Sequence, residues 1–283
     1  ERGTHKPEVS GSIPLPATIL MIKVEEKLIF FVFVTILILV LSEGLFCQPE
    51  IGPLVLKQIF SFLPFEFCKQ NFFNTFWREN GFIENLQSIF LLLAIILLFK
   101  FKKEIKDENR FINFFIILKI IALIYYLGEE ISWGQHFLNW QTPEFFKIYN
   151  NQKETNIHNI SNIFDQFPRT LVLLWCGLSV PLILFLKNFI RIEYRKFLLV
   201  CPNIKLLNVS LILLFFVLPD LVIDKLNLHP GASDKILTFL NSSYFYDLIS
   251  FNFIRLSELH ELIFSFYFFF YAYLINNSSK KNL

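Results

Sequence analysis

Charge is scarce in this chain. Only 18% of its 283 residues are Asp, Glu, Lys or Arg, where an ordinary soluble domain carries about 25%. Glycine occurs nine times, and no glycine-rich phosphate loop is present, which excludes the common nucleotide-binding fingerprints. The net charge of +2 is too small to suggest a nucleic-acid partner. The four cysteines form no Cys-x-x-Cys pair, and no His-Glu-x-x-His occurs, so the signatures of zinc ribbons and zincin proteases are missing. Methionine appears once, as Met21.

What remains is apolar. Hydrophobic residues make up 54% of the chain, mean hydropathy is +0.50, and the apolar residues come in long blocks rather than amphipathic stripes. These features predict an all-α fold, a polytopic transmembrane helical bundle of about six spans. The spans are expected near 28–46, 85–101, 111–128, 169–187, 206–223 and 258–276, each close to the ~20 residues that cross hydrocarbon. The 37 Phe fit an AT-rich gene and carry no functional weight. Residues 1–20 are expected to be a non-native or disordered leader. Gly11-Ser12-Ile13-Pro14 is what the usual T-arm of a tRNA gene gives when translated, so the protein proper is expected to start at Met21, with 21–283 as a single transmembrane domain.

Lys and Arg decide the orientation. Lys23 and Lys27 precede the first span, and Lys100, Lys102, Lys103, Lys106 and Arg110 link the second to the third. Lys187, Arg191, Arg195, Lys196 and Lys205 link the fourth to the fifth, and Lys280 and Lys281 close the chain. These regions alternate correctly, which places both termini in the cytoplasm of a bacterial inner membrane. The long connections 47–84, 129–168 and 224–257 then face outward. Apolar pieces at 54–67 and 236–254 read as interfacial helices on that side, the latter also open to reading as a seventh span. Cys47 and Cys68 share the first outer loop, where either a disulfide or two free thiols would fit.

Acids and histidines collect at the outer ends. Glu43 closes the first span; Arg78, Glu79 and Glu84 precede the second; Glu129, Glu130 and His136 close the third. Asp220 and Asp224 close the fifth, after Pro219, and Glu258, His260 and Glu261 open the sixth. Asp220 and Asp224 share a helix face, as would Glu129 and His136 if the third helix continued. Charge at the edge of hydrocarbon is costly, so a repeated one-sided placement needs a reason. One reading is a solvated rim, with the acids paired to Arg78, Arg169 and Arg255 or capping helix starts. That suits Glu84, Glu258 and Glu261, but not Glu129, Asp220 and Asp224 at C-terminal ends, where the helix dipole disfavours carboxylates.

A second reading is a divalent-metal site of a hydrolase or transferase, with His136, His158 and His260 as ligands and one of Glu129, Glu130 or Glu261 as general base. Membrane-embedded zinc amidases are the comparison in class, although their His-x-x-x-His pair is missing here. A third is a binding or transport site for a cation, an amine or a lipid headgroup, lined by Glu84, Trp133, Gln135, Asp220, Asp224 and Glu258. A non-catalytic scaffold or assembly role belongs with it. Lys119, in the middle of the third span, is the deepest charge and must face the bundle or snorkel. The expected partners are the lipid bilayer and a lipid or small-molecule ligand; the oligomeric state is not readable.

The stretch 128–168 is the most motif-like. Gly128-Glu129-Glu130-Ile131-Ser132-Trp133-Gly134-Gln135 runs on to Thr142-Pro143-Glu144, which predicts a short helix with Thr142 as N-cap. An amide-rich run, Asn150 to Asn162, reads as an ordered polar loop; folded back over the cavity, it would bring Glu154 and His158 to the site. Trp133 and Trp140 suit a membrane interface. The Gly-Glu-Glu-Ile-Ser-Trp-Gly-Gln motif, the Thr-Pro-Glu, the Glu-Thr-Asn-Ile-His-Asn run at 154–159 and the segment Arg78 to Glu84 together resemble an uncharacterised family of bacterial polytopic membrane proteins. Asn80 stands where that pattern has Asp, and His136 where a basic residue, often Arg, is usual. The resemblance implies the membrane class and singles out the motif; it implies no activity.

Overall fold

A computed structural model describes residues 17–47, 81–105, 110–150, 153–186, 201–225 and 255–282; within these, the side chains of 17–24, 43–47, 136, 162, 165, 219–225 and 278–282 fall outside the description. The described residues are helical, with no strand among them. They comprise α1 (Ala17–Cys47), α2 (Phe82–Glu104), α3 (Arg110–Glu130), two short helices α4 (Gln135–Leu138) and α5 (Glu144–Tyr149), then α6 (Asn162–Leu173), α7 (Ser179–Leu186), α8 (Leu207–Lys225) and α9 (Leu256–Asn282). The chain divides into two compact units, 1–42 and 43–283. The first contains most of α1, a helix that covers the expected span at 28–46.

Among the described residues, three helical stretches are long and apolar enough to cross a membrane: Phe82–Glu104, Arg110–Glu130 and Gln166–Leu186. They match the expected second, third and fourth spans. The expected fifth span holds a shorter apolar stretch, Ile204–Leu218, within and just before α8, and the sixth lies inside the 27-residue α9. The apolar pieces at 54–67 and 236–254, together with Arg78, Glu79 and Cys68, lie outside the described residues.

In the second unit α9 is the central helix. It packs most extensively along α2, and α2 in turn along α3. Leu259, Leu262, Ile263, Phe266, Tyr267 and Phe270 of α9 are all buried. Phe266 meets Phe90 of α2 edge-on at 5.5 Å, and Phe269 stacks on the same ring at 5.6 Å, aromatic contacts that add about 0.5–1.5 kcal/mol beyond area burial. The outward faces of α2 and α3 keep the apolar side chains of Ile89, Ile96, Phe114 and Ile121 exposed. The basic ends of α2 (Lys102, Lys103) and α3 (Arg110) adjoin one another at the bundle end opposite to Glu84 and Glu130.

A wide π turn, Leu174–Leu178, joins α6 to α7. Pro181 has no N–H to give the Gly177 carbonyl four residues back, so a loosened turn just ahead of it is expected. The Cys176 carbonyl is taken up by the Ser210 hydroxyl of α8 at 2.6 Å. Gly177 lets α8 approach: a Cβ there would lie 3.2 Å from Leu214. Pro219, by contrast, sits within α8 and does not end it.

Candidate functional site

The third helix stops at Glu130 because the chain turns left-handed. Ser132 (φ 45°), Trp133 (φ 54°) and Gly134 (φ 84°) all adopt positive φ, and only glycine does so without strain. The Trp133 ring folds back over Gly128, where a Cβ would meet ring atoms at 2.9–3.0 Å. The ring N–H then donates to Glu129 Oε1 at 2.9 Å. The expectation that Glu129 and His136 share a face fails for this reason: the helix does not continue. The backbone of His136 belongs to α4, and its side chain lies outside the described residues.

Glu129 is buried, 4% exposed, at the C-terminal end of a helix, the less favourable end for a carboxylate. Its compensation is local. Besides Trp133, it accepts the backbone N–H of Ile157 at 2.6 Å and of His158 at 2.9 Å, and His158 Nδ1 lies 3.2 Å away. Hydrogen bonds to a charged acceptor contribute about 1.5–3 kcal/mol each. Glu129 thus pins the polar loop to the end of α3.

The other motif members do the same. Ser132 donates to Glu154, and Asn156 donates to both Ser132 Oγ and Glu154 Oε2 at 3.2 Å. Asn150 donates to the carbonyl and side-chain oxygens of Asn156 at 2.7 and 2.6 Å. Gln135 Oε1 accepts from the backbone and hydroxyl of Thr155, both at 2.7 Å, while its amide donates to Thr142. Thr142 in turn donates to the Lys153 carbonyl. It makes no cap: the residue capping α5 is Pro143, without a side-chain hydrogen bond, so the expected N-cap role of Thr142 is corrected. The Gly-Glu-Glu-Ile-Ser-Trp-Gly-Gln and Glu-Thr-Asn-Ile-His-Asn runs, twenty-odd residues apart in sequence, are two halves of one lock.

Beside this lock lies a cavity of about 560 Å³. Its wall carries Glu84 of α2, Glu129 and Glu130 of α3, Glu154 and His158 of the loop, and Glu258 and Glu261 of α9, so five helix-end carboxylates expected at one site do share it. Phe164, Leu171, Val172, Phe264 and Phe268 form its apolar side. Glu261 is ion-paired with Arg169 of α6, and Glu258 with Arg255 at 3.5 Å, as the rim reading has it for these two. Gln87 of α2 donates to the Glu258 carbonyl at 2.9 Å and fixes the start of α9. Glu130 is different. It makes no hydrogen bond or ion pair among the described residues; Glu261, Glu258 and Glu84 all act on it electrostatically, with Arg169 as the opposing charge.

Of the remaining expected site residues, Trp133 and Gln135 belong to the lock rather than the cavity wall. Asp220 and Asp224 sit in α8, and their side chains lie outside the described residues. His260 is off the wall, and its buried Nε2 has no hydrogen-bond partner among the described residues. Among the described residues no three His, Cys, Asp or Glu are grouped to hold a metal ion; His158 is engaged with Glu129, away from His260. Tyr126 was not singled out in sequence; Arg169 entered there only as a rim partner for the acids, and Ser132 and Asn156 only as members of the motif runs. Lys119, whose partner was unreadable, lines the cavity, hydrogen-bonds the Tyr271 hydroxyl, and sits 4.8 Å from the Trp175 ring and 4.3 Å from the Tyr271 ring.

No protein-family model, curated protein or solved structure matches the chain.

Proposed function

We propose that this is a multi-span inner-membrane protein that binds a positively charged group, an amine of a lipid headgroup or of a small molecule, in the acid-lined cavity. The six-span arrangement with both termini in the cytoplasm, and the outward opening of the cavity, are part of this reading; the distribution of Lys and Arg supports them. The resemblance of residues 76–160 to an uncharacterised bacterial membrane family bears on the membrane class alone.

The observation that carries the ligand class is Glu130. Two of its acidic neighbours are matched by arginines, while Glu130 itself has no such partner among the described residues. A cation brought beside it would relieve the clustering of like charge at low local dielectric. The apolar side of the cavity offers Phe264, Phe268, Leu171 and Val172 to the hydrocarbon part of an amphiphile.

Native mass spectrometry of purified protein tests this. Ethanolamine-headgroup lipid is expected to be retained at least tenfold better than phosphatidylglycerol, and Glu130→Gln to abolish the preference. Competition by free ethanolamine identifies a small-molecule amine as sufficient; its failure, with lipid retained, identifies the headgroup. Equal retention of both lipids, unchanged by Glu130→Gln and without binding of the free amine, contradicts the reading.

A second reading rests on a specific contact. His158 Nδ1 is 3.2 Å from Glu129 Oε2, and both residues line the cavity. A carboxylate that orients an imidazole leaves the other ring nitrogen to act as a base toward a water or a bound ester. Hydrolysis of a lipid-linked substrate, lost in His158→Gln while the lipid preference survives, would establish it.

A further inference from the structure

Lys119 lies eleven residues before Glu130 on the same helix, which is about 16 Å along the axis at 1.5 Å per residue. Both line one cavity, as do Ala122, Leu123 and Tyr126 between them. Positions 119, 122, 123, 126 and 130 recur at three- and four-residue steps, so they form one stripe on α3. The stripe carries an amine, a phenol and a carboxylate on a helix whose opposite side is lipid-facing, with Ile117, Ile121 and Ile124 exposed.

The middle of the stripe is short of hydrogen bonds. Tyr126 and Ser265 of α9 approach one another; both hydroxyl oxygens are buried, and among the described residues neither has a further hydrogen-bond partner. Buried hydroxyls without a protein partner are normally met by water. At about 30 Å³ per water, a 560 Å³ cavity with these polar groups has room for on the order of a dozen or more. Among the groups facing Lys119 are the Tyr271 hydroxyl and ring of α9, the Trp175 ring of the π turn, and Cys201, which precedes α8 and acts on it electrostatically.

We propose that the cavity is a one-sided inlet for water and small cations, running from the carboxylates at Glu130 down to Lys119, so that Lys119 exchanges protons only with the aqueous phase on the side of the 131–161 loop. The acids at its mouth select for positive charge, and the aromatic pair around Lys119 closes its inner end. This inference uses the same cavity as the amine-binding reading but needs no bound amine, so either can fail without the other.

The test is cysteine accessibility on the full chain in oriented vesicles, with no amine added and with labelling of the unsubstituted protein as background. Lys119→Cys is expected to react with a cationic methanethiosulfonate from the loop side only, at least tenfold faster than with its anionic counterpart. Ile121→Cys, at similar depth on the lipid-facing side, is expected to stay unlabelled. Glu130→Gln should shrink the charge preference. If Lys119→Cys does not fold, Ala122→Cys, at an uncharged wall position, gives the same readout. No reaction at 119 or 122, reaction equal to that at 121, or reaction from the opposite side overturns the inlet.

Discussion

At the scale of single residues, the motif around Glu129 is a set of contacts that hold the loop to the end of α3. Gly128 is glycine because the Trp133 indole lies where a Cβ would be. Gly128→Ala is therefore expected to cost about 1–3 kcal/mol through overpacking against that ring, seen as a lower melting temperature in detergent. Glu129→Gln removes the charge that collects four donors, and a loss of about 1.5–3 kcal/mol is expected. Glu130→Gln, one residue on, is expected to leave the melting temperature unchanged or raise it, because it removes a carboxylate from among like charges. Opposite signs at adjacent glutamates separate a structural from a ligand-binding acid; equal destabilisation would put both in the lock. The sequence shows two neighbouring acids, but nothing in it distinguishes their roles. That difference arises from the left-handed turn at 132–134, which sends one carboxylate to the loop and leaves the other on the cavity wall.

At the scale of elements, the loop from Ile131 to Ser161 behaves as a folded piece held at Glu129, Ser132 and Gln135. Asn156→Ala removes the donor to Ser132 and Glu154 and the side-chain acceptor of Asn150. The expected outcome is faster proteolytic cleavage within this loop, with the helices intact, because local opening has its own free energy. An unchanged cleavage rate would mean that the remaining bonds suffice. The polar character of Asn150 to Asn162 pointed to an ordered loop but left open whether it folds over the cavity or stays solvated. Its pairing with the Gly-Glu-Glu-Ile-Ser-Trp-Gly-Gln run was not legible, since no local spacing encodes a hydrogen bond across twenty-odd residues. The stripe of Lys119, Tyr126 and Glu130 was legible in principle: the spacings of seven and four place them on one helix face.

At the scale of the whole molecule, apolar blocks and their length foretold an all-helical chain and three of its membrane-competent helices, at Phe82–Glu104, Arg110–Glu130 and Gln166–Leu186. They also foretold which ends gather acids, because charge at the hydrocarbon edge is too costly to scatter. The rim reading named Arg169 as a partner for the acids, but not which acid it meets: its contact with Glu261 spans ninety-two positions. The Lys and Arg distribution predicts that reporter domains fused at residue 108 stay in the cytoplasm and those fused at residue 150 are exported; the opposite pattern would invert the topology.

Acids from separate helices meet at one cavity. A short bifunctional thiol reagent applied to Glu130→Cys/Glu261→Cys in native membranes measures this directly. Efficient cross-linking between α3 and α9 is predicted, with Glu130→Cys/Leu138→Cys as a loop control that stays unlinked. Failure of the 130–261 pair to link, with both thiols reactive singly, would contradict it.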